Sequence, residues 1–133
     1  MNNQNAFPQI TTIIIDDDKD ITTVFAEYLK SHGITTLGIG HDGKSAVELY
    51  QKIKPSVVFL DVLMPDYDGL YGLEKIKQFD PNARVIMVTA DVTRETHDRL
   101  VSLGASLIIY KPFEIEEIIM ALNRIIRLEV VNW

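Results

Sequence analysis

The sequence predicts an α/β domain: a doubly wound, five-stranded parallel sheet in the order 2-1-3-4-5, with five helices. Three observations predict it. Short apolar runs alternate with amphipathic stretches five times along the 133 residues, which suits a parallel sheet covered on both faces. The third run, residues 57–60, is Val-Val-Phe-Leu between Pro55 and Asp61 and reads as a strand buried on both sides. The second run, residues 35–40, holds two glycines and little bulk, which suits a sheet edge. Right-handed crossovers then make 2-1-3-4-5 the natural order.

The elements follow in turn. Residues 10–15 form the first strand, and Asp16, Asp17 and Asp18 come directly after it. Ile21, Val24, Phe25, Tyr28 and Leu29 repeat at helical spacing and predict an amphipathic helix that Gly33 ends. After the edge strand, Asp42 caps a second helix that turns Ala46, Leu49, Tyr50 and Ile53 inward. Pro55 stops it. Beyond the central strand, Pro65 and Gly69 fix a loop. Leu70, Leu73 and Ile76 then mark a third helix, with Phe79 near its end. A fourth strand over 84–88 leads into Thr89-Ala90-Asp91. The fourth helix, 93–103, carries only Leu100, Val101 and Leu103 as large apolar residues, so it is expected to be the least firmly packed. A fifth strand over 106–110 ends in Lys111-Pro112-Phe113. The fifth helix shows Ile115, Ile118, Ile119, Leu122, Ile125 and Ile126 on one face. Residues 1–9 read as a polar leader, 10–127 as the domain, and 128–133 as an apolar tail.

Composition narrows the classes of function. The chain has 13 basic and 19 acidic residues, a net charge of −6, and no cysteine. That argues against direct nucleic-acid binding, which needs a basic face, and excludes disulfides and thiolate metal sites. No run approaches the roughly 18 apolar residues of a membrane span. The leader lacks the basic and apolar regions of a signal peptide. A cytoplasmic protein is expected, with no membrane partner, as a monomer or weak dimer.

Four of the five strands end in a polar residue: Asp16-Asp17, Asp61, Thr89 and Lys111. In a parallel sheet all four ends share the carboxyl edge, where open α/β sheets bind ligands. Crowded carboxylates repel unless a cation compensates. Oxygen ligands alone favour a hard ion, with Mg2+ the leading candidate. A carboxylate nucleophile, a divalent ion, a lysine and a hydroxyl are the parts of phosphoryl transfer to aspartate. Taken singly, each residue also has a plain structural reading. Asp61 or Asp16 to Asp18 could serve a helix N-terminus, Thr89 a cap, and Lys111 a solvated loop.

The ordered motifs resemble the receiver domain of two-component response regulators. They are Asp16-Asp17 after a strand, L-D-x-x-M-P-x-x-D-G at residues 60–69, Thr89-Ala90, and Lys111-Pro112-Phe113. The resemblance covers about residues 10–127 and implies the flavodoxin-like receiver fold, in a stand-alone, chemotaxis-regulator-like receiver or one excised from a longer protein. It implies a phosphorylation-switched signalling module that accepts a phosphoryl group from a histidine kinase, or a phosphotransfer protein, on Asp61. It further implies Mg2+ held by Asp17 directly, Asp16 through water, Asp61, and the backbone carbonyl of Leu63. Thr89 and Lys111 resemble the pair that contacts the phosphoryl group, and the Lys111–Pro112 bond is expected to be cis. Asp18 holds a variable position that need not be a ligand. Such a module catalyses only its own phosphorylation and dephosphorylation, and its downstream protein target is not named by the sequence. The chain departs from the family at Ile108, where the switch aromatic stands. Tyr110, two residues on, shares its face by strand alternation.

Two other functions share this outline. A flavin-binding protein would want a glycine- or hydroxyl-rich first loop for its phosphate, and three aspartates repel one. A phosphate-independent interaction domain would not require the whole acidic, hydroxyl and lysine set.

Overall fold

The computed structural model describes residues 9–131, with side chains through Ile125. The expected leader, apart from Gln9, therefore lies outside the described residues, as do residues 132–133 and the apolar side chains expected from Ile126 onward. The elements are β1 (Thr11–Ile15), α1 (Lys19–Ser31), β2 (Thr35–Gly40), α2 (Gly43–Ile53), β3 (Val57–Asp61), α3 (Gly69–Phe79), β4 (Val85–Thr89), α4 (Arg94–Ser102), β5 (Leu107–Tyr110) and α5 (Ile115–Val131). All pairings are parallel and the order is β2-β1-β3-β4-β5. Helix α5 runs to Val131 and so takes in residues 128–131 of the expected apolar tail.

Strand alternation divides the core in two. Ile13, Ile15, Val58, Leu60, Val85 and Met87 point to one face, where Ala46, Tyr50, Leu73, Ile76 and Leu100 from α2, α3 and α4 cover them. Ile14, Val57, Phe59, Ile86, Val88 and Ile109 point to the other, under Phe25, Leu29, Ile118, Leu122 and Ile125 from α1 and α5. Both faces of β3 and β4 are buried along their whole length. A continuous apolar run is what such a strand requires.

Local chemistry sets the helix ends. Asp18 accepts from the N–H groups of Asp20 and Ile21, and Asp42 forms a capping box with Ser45. Asp68 and Thr93 cap α3 and α4. Helix α2 ends with Lys54 in the left-handed region, because Pro55 disfavours a helical residue before it. The α2 N-terminus is tied to the loop before α3, where the Gly43 N–H donates to the Tyr67 carbonyl at 2.6 Å. Gly72 packs beside Gly43, so the two helices approach closely. At the far end, the Tyr50 hydroxyl donates to Asp80 at 2.7 Å. Burial, with the neighbouring Asp80 carboxylate, raises the Tyr50 pKa well above its ordinary range.

One part of the helical pattern is corrected. Only Phe25 and Leu29 of the predicted α1 stripe are buried, together with Thr22, while Ile21, Val24 and Tyr28 are exposed. The helix meets the sheet along a single i, i+4 row. The neighbouring row faces sideways toward Phe113 and lines a shallow apolar cleft with Asp20. The thin packing expected of α4 is found: Leu100 is its one buried residue.

Candidate functional site

The register brings the strand ends together. Ile15 pairs with Leu60, Asp61 with Val88, and Thr89 with Tyr110. Asp16, Asp61 and Thr89 are therefore one step apart across three neighbouring strands, and Lys111 follows on the fourth. Asp16, Asp61 and Thr89 are the buried polar groups of this edge, with exposures of 6 %, 6 % and 0 %. Asp17 is exposed.

Lys111 is the counter-ion. Its Nζ lies 2.8 Å from Asp16 Oδ2 and 3.4 Å from Asp61 Oδ2. Burial opposes the charged ammonium, but the hydrogen bond it donates to Asp16 and the charges of Asp61 and Asp16 outweigh it and raise the lysine's pKa. Burial raises the pKa of Asp61 most. The Lys111 charge acts against this, Asp16 adds repulsion, and the Leu63 N–H donates to the carboxylate and favours its charged form. The net result is a carboxyl whose pKa stands above the ordinary value.

Asp16 is held at four points. Its N–H donates to the Gly40 carbonyl at 3.1 Å, and its Oδ1 accepts from the Asp18 N–H at 2.9 Å. Its Oδ2 accepts from Lys111, and its main-chain carbonyl accepts from His41 Nδ1 at 2.9 Å. His41 was missed in the sequence because β2 lacks the unbroken apolar run that marked the other strand ends. The residue following the edge strand was the available signal.

Each expected site residue can be placed. Asp16, Asp17 and Asp61 each offer a carboxylate oxygen, all within 4.8 Å of one another. Three close carboxylates with oxygen donors alone fit a hard divalent ion that keeps part of its water shell. The side chain of Leu63 is 56 % exposed, in the loop leaving β3. The Thr89 hydroxyl accepts from the Asp91 N–H at 3.0 Å. The Lys111–Pro112 bond is cis, as the resemblance implies. Ile108 packs against the α2–α4 side of the core and Ile109 against the other, so alternation puts Tyr110 on the side of Ile108. Asp18 serves as a helix cap, and Asp68 caps α3 through the Tyr71 N–H. Among the described residues, no helix is long and apolar enough to cross a membrane.

Comparison with known proteins agrees with this geometry. The family model for the response regulator receiver domain matches residues 12–123. The protein CcdB of Bacillus subtilis is 34 % identical over 113 residues, covering 85 % of this chain and 94 % of that protein. The chemotaxis protein CheY of the same organism is 31 % identical over 112 residues, covering 84 % and 93 %. A chain in the crystal structure of the CheX–CheY–BeF3–Mg2+ complex from Borrelia burgdorferi superposes with a TM-score of 0.85 at 28 % identity, covering 94 % of each chain. A compact acidic cluster, a buried aspartate beside a lysine, and a family match over most of the sequence lead to one conclusion: the chain belongs to the response regulator receiver domains, Mg2+-dependent partners of histidine kinases that are switched by phosphorylation of an aspartate.

Proposed function

We propose that Asp61 is the phosphoacceptor and that Asp16, Asp17, Asp61 and the Leu63 backbone carbonyl hold the Mg2+. The observation that carries this reading is the buried Asp61 carboxylate lying both in the acidic cluster and 3.4 Å from Lys111. An Asp61 oxygen attacks the phosphorus of a phosphohistidine. The new O–P bond forms as the P–N bond breaks, and the imidazole leaves with the electron pair. Bound Mg2+ supplies positive charge to the phosphoryl oxygens during transfer. Lys111 supplies further positive charge, and Thr89 a hydroxyl donor. Water attacking the same phosphorus later regenerates the carboxylate. The exposed apolar row of Ile21, Val24 and Tyr28, continuous through Phe113 with the Lys111 loop, is a docking face for the kinase's phosphodonor domain.

Asp17 and Asp18 separate in this reading. Asp17→Asn lowers Mg2+ affinity about tenfold or more, since a ligand and a charge are lost together. Asp18→Asn leaves it near the wild-type value, because asparagine caps α1 equally well. Calorimetric titration of Mg2+ into each variant reads the difference. Equal losses would remove the assignment.

Output runs through the thinly packed side of the molecule toward a separate protein target, with the chain a monomer or weak dimer. Phosphorylation adds negative charge and acceptor oxygens at Asp61. Thr89 and Lys111 are drawn toward them, away from Asp91 and Asp16. Ile108 cannot hydrogen-bond to the moving threonine. Tyr110, paired with Thr89 in register, carries the change to α4, which rests on Leu100 alone. Amide exchange with and without beryllofluoride tests this. Protection changes across residues 91–104, and Tyr110→Ala reduces the amplitude. Changes confined to the surroundings of Asp16 and Asp61 would count against the relay.

A further inference from the structure

His41 lies outside the acidic cluster of Asp16, Asp17 and Asp61. It directly follows β2, its ring is half-buried, and its Nδ1 lies 2.9 Å from the Asp16 carbonyl oxygen. A carbonyl only accepts, so Nδ1 carries the hydrogen and donates, whether the ring is neutral or charged.

The carbonyl belongs to the peptide that joins Asp16 to Asp17. Turning that rigid plane changes ψ of Asp16 and φ of Asp17, which swings the two carboxylates relative to each other. The Asp16 carboxylate is already held, by Lys111 and by the Asp18 N–H. The Asp17 carboxylate is exposed, so its direction depends on the backbone that carries it. His41 is itself anchored: its N–H donates to Ser45 Oγ at 3.2 Å, and Ser45 completes the α2 capping box. The backbone pairing of β1 with β2 ends at Ile15 with Gly40 and the Asp16 N–H. The His41 side chain adds one further rung beyond it.

Resting on the reading of Asp16 and Asp17 as the metal pair, we propose that His41 is a positioning residue for the Mg2+ site. It locks the Asp16–Asp17 peptide so that the Asp17 carboxylate meets the ion without a reorganisation cost. It touches neither the ion nor the phosphoryl group. Metal ligands owe much of their affinity to such supporting hydrogen bonds.

The test is calorimetric titration of Mg2+ into the unphosphorylated full chain, beside thermal melting without Mg2+. His41→Ala is expected to weaken Mg2+ about tenfold. His41→Asn, whose amide nitrogen stands near the place of Nδ1, is expected to restore the affinity. A merely structural role would shift the melting temperature without separating asparagine from alanine in Mg2+ binding. If His41→Ala fails to fold, His41→Gln replaces it, with its donor one bond too far out. Wild-type Mg2+ affinity in His41→Ala, or an asparagine variant no better than alanine, overturns the proposal. Asp17→Asn in the same series separates the two levels. If it binds Mg2+ normally, the metal assignment itself falls and the role of His41 falls with it. If it loses affinity while His41→Ala does not, only the role of His41 is overturned.

Discussion

Asp61→Ala is expected to lower acyl-phosphate formation from a small phosphodonor and Mg2+ by at least about a thousandfold. The neighbouring carboxylates are not expected to take over, Asp17 of the same cluster being read as a metal ligand. Asp16 is committed to Lys111 and to the Asp18 N–H. Asp66 has left-handed backbone in the loop beyond Pro65, and Asp68 caps α3. Borohydride trapping and peptide mass spectrometry locate the label, and labelling that persists in the variant would refute the assignment. A second readout comes from Asp61→Asn in metal-free protein. Burial raises the Asp61 pKa, so the folded state favours the protonated acid. The stability this contributes is fully present below the group's ordinary value of 3.8 and is lost as pH rises through the folded pKa. At pH 7 the wild type therefore carries the cost of a buried charge that asparagine lacks. The variant is therefore expected to melt above wild type at pH 7. Its advantage disappears as pH falls through the folded Asp61 pKa. Mg2+ also narrows the gap, because it binds the folded wild type. A variant that melts below wild type at pH 7 would contradict this account.

Gly69→Ala is expected to lose about 3 kcal/mol of stability and to slow phosphorylation. A Cβ at this position would fall on the carbonyl oxygen of Asp61, with the Val62 Cα also in its way. Both are backbone atoms, so no rotamer change relieves the clash. The Gly69 N–H also donates to the Val62 carbonyl at 2.9 Å, which folds the loop back against the end of β3. Separating them displaces the peptide that carries Asp61, and misplacement of this kind lowers rate as well as stability. Gly33→Ala is the contrast. Gly33 has φ of +80° and nothing within 4 Å of its added carbon. It should cost about 1 kcal/mol in denaturant titrations and leave phosphorylation unchanged. If Gly69→Ala behaves like Gly33→Ala, the close approach has no functional weight.

The strand order was legible because Gly38 and Gly40 mark an edge and residues 57–60 mark a centre. Thr89, Lys111, Asp16 and Asp61 were legible as a group because each follows an apolar run, and a parallel sheet aligns such endings. The exposure of Ile21, Val24 and Tyr28 was not legible. Periodicity reports which side chains share a stripe, whereas burial depends on how wide a strip of sheet the helix meets. His41 was hidden for a related reason. Its partner is a main-chain carbonyl 25 residues away in sequence, and a backbone acceptor leaves no side-chain signature.

The tie between Gly43 and Tyr67, with Gly72 packed against it, has a consequence for anyone building a sensor from this domain. With α2 bound at its start to the loop before α3 and at its end through Tyr50 to Asp80, that flank is tethered at both ends and is expected to serve as a reference frame. A fluorophore placed there, on exposed Lys52 for example, stays dark to the signal. Its twin on exposed Val101 of α4 is expected to move under the relay proposed above. The distance between two such dyes then reads the phosphorylation state optically, with the rigid flank serving as the internal ruler.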